Sequence, residues 1–164
     1  KVMDTDRSKL MEELQKAHAY NRSLTDYSQE SLLEAENEYK DCLNLMGDGI
    51  MGYVEVPKIH VQLPIYHGTN ADTLEIGVGH LLGSSLPVGG KNTHSVLTAH
   101  SGMATDKMFS DLPQLTKGDV FYLEILGEIL AYQVDQIRTV TPYDTTYLST
   151  VAGEDLCMVS FTGN

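Results

Sequence analysis

Basic residues are scarce in this 164-residue chain: eleven Lys and Arg stand against twenty-three Asp and Glu, for a net charge of -12. That sign repels phosphates and anionic lipid headgroups, so nucleic acid is not an expected partner. No apolar run reaches the length of about eighteen residues that a membrane-spanning helix needs. The chain opens on Lys1 without an initiator methionine, so a signal or anchor segment is expected to have been trimmed from the parent protein. Cysteine is nearly absent. Cys42 and Cys157 lie far apart and match no zinc or redox spacing, which leaves two buried free thiols as the expectation. Six histidines are present, but none stands in a His-x-x-x-His or His-Glu-x-x-His pattern, so no metal and no cofactor is expected. Low-complexity stretches and internal repeats are also missing. The length and composition suit one compact domain with a small appended element.

The first 46 residues differ from the rest. Between Ser8 and Leu24 the side chains Leu10, Leu14, Ala17 and Leu24 recur at helical spacing among Lys, Glu and Gln, which predicts one amphipathic helix with a narrow apolar stripe. A second helix starts with Ser28 as N-cap and Glu30 in its first turn, and buries Leu32, Ala35, Tyr39 and Leu43 before Gly47-Asp48-Gly49 ends it. Such narrow faces must rest on a neighbouring domain.

From residue 47 onward short strands replace helices. Ile50 to Val56, Val61 to Tyr66, His94 to His100, Val120 to Leu126, Ile129 to Val140 and Leu156 to Phe161 carry the β-branched, aromatic or alternating character of strands. Gly127-Glu128 separates two of them at hairpin distance. Short helices are expected near Ala71 to Ile76 and near Thr105 to Leu115. The pattern predicts a mainly β fold, a small closed barrel with helical insertions. Its chemical centre is the strand through Val96, Leu97 and Ala99, which delivers His100 to a Ser101-Gly102 turn. A histidine at a strand mouth can exchange a proton near neutral pH.

Several ordered motifs surround that strand. They are Gly49-Ile50-Met51-Gly52-Tyr53-Val54-Glu55-Val56-Pro57, Leu63-Pro64-Ile65-Tyr66-His67-Gly68, Gly77-Val78-Gly79-His80-Leu81, Ser85-Leu86-Pro87-Val88-Gly89-Gly90 and Thr98-Ala99-His100. Together, from about Ala19 to Ser160, they resemble the core of class C sortases. The resemblance implies a sortase-like closed β-barrel, incomplete here at its C-terminal strands, over residues 47–164, with an N-terminal helical pair and lid-like segment over residues 1–46. It implies a membrane-tethered parent on the outer face of a Gram-positive cell, acting on pilins with LPxTG-like sorting signals. There a cysteine thiolate attacks the threonyl carbonyl, a histidine protonates the leaving amine, an arginine steadies the oxyanion, and a pilin lysine accepts the acyl group.

Carried over by position, His100 matches the catalytic histidine. The nucleophile position falls on Phe161, or on Thr162 when counted from Asp155-Leu156, and neither is a thiol. Cys157 lies about 13 Å back along the strand from Phe161. The family's arginine follows on a later strand and has no counterpart in this chain, and Arg138 reads as a solvated charge. Asp26-Tyr27-Ser28 occupies the lid-like stretch but lacks the family's proline. His94 shares a face with His100 by alternation, about 20 Å away. His67 and His80 read as turn-shaping residues, His18 and His60 as solvent-facing ones. The resemblance therefore implies a transpeptidase of pilus assembly that is inactive as given, with a non-catalytic peptide- or pilin-binding module, or a truncated gene product, as the alternatives. A missing last strand also implies an open edge through which copies of the chain associate.

Overall fold

The computed structural model describes residues 6–24, 32–101, 107–141 and 157–163. Helix α1, Arg7–Ser23, begins where the Asp6 carboxylate accepts a hydrogen bond from the Ser8 amide at 3.0 Å, an N-cap that satisfies one orphan donor of the first turn. It buries Ala17 and Tyr20. Helix α2, Leu32–Asp41, buries Tyr39 near its C-terminal end, and Cys42 and Leu43 follow it into the core. The expected cap at Ser28 and the lid-like Asp26 and Tyr27 lie outside the described residues.

Among the described residues seven strands form one sheet: β1 Ile50–Val56, β2 Val61–His67, β3 Val78–His80, β4 Thr93–Ala99, β5 Val120–Ile125, β6 Glu128–Gln133 and β7 Cys157–Gly163. A short helix α3, Ala71–Ile76, bridges β2 and β3. The order across the sheet is β6-β5-β1-β2-β3-β4-β7, with β2–β3 and β4–β7 parallel and the other pairs antiparallel. β5 and β6 join through Leu126 and Gly127, whose φ angles of 53° and 78° are the left-handed pair that a two-residue hairpin requires.

The sheet is curled. Phe121 sits on β5, the second strand of the order, and Phe161 on β7, the last, yet their ring centroids lie 4.4 Å apart. Phe109 adds a third ring, 5.3 Å from Phe161. Around them Val54, Val56, Ile65, Val78, Leu97 and Leu123 fill the interior, each contributing about 1.5–3 kcal/mol through burial. The result is a nearly closed barrel of mostly β structure with a seam between β6 and β7. This is the fold expected from the sequence.

Three local expectations change. The strand predicted to run to Val140 ends at Gln133, because Ile137 and Val140 project into solvent and no described strand pairs with them. The helix expected from Thr105 to Leu115 is, in its described part, a set of turns closed by a single 3-10 turn at Leu112–Gln114, where Pro113 supplies no amide hydrogen to continue a helix. Strand β3 was not expected from strand character at all. Its centre is Gly79, where a Cβ would stand 2.4 Å from the Gly68 carbonyl oxygen. Gly79→Ala is therefore expected to destabilise the fold by about 1–3 kcal/mol, read as a lower urea midpoint with an unchanged m-value.

Candidate functional site

The candidate site lies where β4 and β7 end side by side. Their parallel register sets Leu97 opposite Phe161, Thr98 opposite Thr162 and Ala99 opposite Gly163. His100 follows at once, half-buried, and its carbonyl accepts the Phe109 amide at 3.0 Å. The backbone that carries the histidine is thereby tied to the turn that supplies the Phe109 ring to the core.

The two faces of β7 are distinct. Phe161 points inward, into the cluster with Phe109 and Phe121. Ser160 lies on the other face, its hydroxyl 2.6 Å from Nε2 of His94. Thr162 is placed by its backbone, two residues on from Ser160. Cys157 pairs with Thr93, at the end of β4 remote from His100. Arg138 is exposed beyond β6, with Nε donating to Oε1 of Gln136 at 3.3 Å. Cys42 is fully buried behind α2, and burial pushes its thiol up to about 11, away from the thiolate that a nucleophile needs.

The histidines sort differently from the sequence reading. His60 is exposed as expected, whereas His18 is half-buried. His67 ends β2, with Nε2 donating to the Cys42 carbonyl at 2.6 Å, and so binds the segment after α2 to the barrel. His80 ends β3 and is 0% exposed. Its Nε2 donates to the Ser85 carbonyl at 2.7 Å, which leaves Nδ1 to accept the Tyr39 hydroxyl at 2.8 Å. These two bonds define a neutral tautomer. Burial also raises the Tyr39 hydroxyl above its ordinary range, which keeps it a donor. The only sequence signal for this pair was a polar residue in Gly77-Val78-Gly79-His80. Nothing in the local pattern marks a partner 41 residues away.

A curled sheet that sets a histidine beside the end of a parallel partner strand is a sortase-type barrel. The sequence profile of the sortase domain matches residues 54–160, and the chain belongs to the sortase family. Sortase D of Bacillus subtilis (strain 168) is 36% identical over 98 residues, covering 60% of this chain and 46% of that protein. Sortase C1 from Streptococcus agalactiae superposes with a TM-score of 0.90 at 36% identity, covering 99% of this chain and 84% of that one. A Clostridium perfringens sortase C, solved with the C-terminal cell wall sorting motif, gives a TM-score of 0.82 at 41% identity and covers 99% of this chain and 83% of that one. Class C sortases are thus among its structural neighbours. The chain spans about half the length of the curated relatives it matches.

Burial lowers the pKa of His80 from 6.5 to about 4. As pH falls below 6.5 the unfolded chain takes up this proton before the folded one does. Stability linked to His80 is therefore whole above that pH and is lost between 6.5 and about 4, a change of about 3 kcal/mol. Urea titrations across this window are expected to show a steeper loss for the parent chain than for His80→Gln, and equal slopes would refute the assignment.

Proposed function

We propose that this chain is a pilin-type class C sortase barrel that receives an LPxTG-like sorting signal at the outer face of a Gram-positive cell, and that in the sequence given it recognises the signal without forming a thioester. In the parent reaction a thiolate attacks the threonyl carbonyl, the glycine amine leaves with a proton from the histidine, and a pilin lysine then takes the acyl group. His100 fills the histidine role. The nucleophile position is Thr162 in preference to Phe161.

The observation that carries this reading is the β4–β7 register. It brings Thr162 opposite Thr98, two residues before His100, while the Phe161 ring is committed to the core. A threonine hydroxyl attacks a carbonyl only with a strong base beside it, so binding outlasts turnover. The sorting motif carried by the Clostridium perfringens neighbour supports the substrate class.

Incubation with an LPxTG-like peptide and a lysine-bearing pilin is expected to give peptide binding, no acyl adduct by mass spectrometry and no ligated product. Thr162→Cys is expected to introduce a thiol that iodoacetamide alkylates at least about tenfold faster than the thiol of Phe161→Cys, since reactivity follows exposure. Efficient ligation by the parent sequence, abolished in His100→Ala, would overturn the claim of inactivity. Faster alkylation at 161 would overturn the placement.

The seam suggests a second kind of partner. Among the described strands β6 and β7 each pair on one side only, and such edges recruit further strands. Light scattering is expected to show association that rises with concentration. A monomer at every concentration, with β7 amides protected from exchange, would exclude it.

A further inference from the structure

A continuous run of buried polar contacts leads from α2 to β7. At one end the Tyr39 hydroxyl donates to Nδ1 of His80 at 2.8 Å. His80 Nε2 reaches the Ser85 carbonyl at 2.7 Å and the Ser84 hydroxyl at 3.0 Å. Both serines then grip β4: the Ser84 oxygen accepts the Val96 amide at 3.1 Å, and the Ser85 oxygen accepts the His94 amide at 3.0 Å. The Ser85 amide returns a bond to the His94 carbonyl at 2.9 Å. At the far end the His94 ring meets the Ser160 hydroxyl at 2.6 Å. Tyr39, His80, Ser84, Ser85 and His94 are all buried.

We propose that His94 is a positioning residue that fixes β7 on β4 through Ser160, and that Tyr39 of α2 holds His94 in place through His80 and the Ser84-Ser85 turn. The seat of an N-terminal helix and the placement of position 162 then form one unit. Buried polar groups that lose a partner are costly, so each link in the run resists displacement of its neighbours. A one-residue slip of β7 would break the His94–Ser160 bond and carry Phe161 out of the core, because side chains alternate between faces. The importance of position 162 rests on the proposed function. The coupling of α2 to β7 does not.

Native-state hydrogen exchange tests the coupling. Tyr39→Phe removes one hydroxyl at the end of the run far from β7. It is expected to speed exchange of the amides at 158–163 by about tenfold, the scale of one hydrogen bond's net worth. Val54→Ala, a cavity in the core of β1, serves as the control and is expected not to single out β7. Tyr39→Phe and Ser160→Ala are expected to be non-additive in a double-mutant cycle. His94→Gln, which can still hydrogen-bond Ser160, is expected to keep the β7 protection that His94→Leu loses. Unchanged β7 exchange in Tyr39→Phe, the same β7 response in Val54→Ala, an additive cycle, or equal protection in the two His94 variants would each overturn the proposal. No sorting peptide enters these measurements, so their failure would leave the proposed function standing, and a chain that binds no peptide would leave the coupling standing.

Discussion

The parallel pairing of β4 with β7 is the constraint on which the candidate site depends. His100 directly follows β4 and Thr162 belongs to β7, and about sixty residues of chain separate them. Only the register Thr98–Thr162 brings their backbones together. Parallel neighbours cannot be joined by a tight turn, so this pair draws no help from local sequence. It must be fixed by what the side chains do on each face. On the inner face Phe161 is held by Phe109 and Phe121, and on the outer face Ser160 is held by His94. The two contacts are of different kinds, one apolar and one polar, and together they discriminate against a slip in either direction.

The helices are attached by directional bonds as well as by apolar contact. Asn21 of α1 pairs twice with Leu86, its side-chain amide donating to the Leu86 carbonyl at 3.2 Å and its side-chain oxygen accepting the Leu86 amide at 2.7 Å. Glu13 accepts the amide of Leu43 at 2.8 Å, at a residue whose φ of 53° places it in the left-handed region. Tyr39 does the same work deeper in the fold, where it also accepts the Gly68 amide at 3.0 Å. Narrow apolar stripes explain why such bonds matter. A helix that buries only Ala17 and Tyr20 gains too little from burial to hold a fixed position by packing alone.

The barrel could be read from the sequence wherever one side of a strand is buried and the other is wet. β1 alternates Val54 and Val56 inward with Tyr53 and Glu55 outward, and its ends match the expectation. β6 was over-read because Ile137 and Val140 look like strand residues but have no wall to pack against. β3 escaped because its central residue is a glycine chosen for close backbone approach, which carries no strand signal. His100 stands out in the sequence through its turn and its motif. His80 and His94 do not, since their meaning lies in partners 41 and 66 residues distant, and long-range polar pairing leaves no periodic trace in a sequence.

Fold and reactivity separate at one strand end. Phe161 contributes to the core whatever residue follows it, and the backbone register of β7 is set by contacts at 160 and 161. A TM-score of 0.90 to a sortase C1 measures this frame alone. Chemistry needs more than the frame. Of the two cysteines, Cys42 is sealed behind α2 with its thiol held protonated, and Cys157 pairs at the wrong end of β4. Neither is placed at the β4–β7 end that leads to His100, and under the proposed function the nucleophile position is that of Thr162, whose hydroxyl attacks a carbonyl only with a strong base beside it. It is this mismatch of residue type, rather than any defect in the barrel, on which the proposed binding without turnover rests.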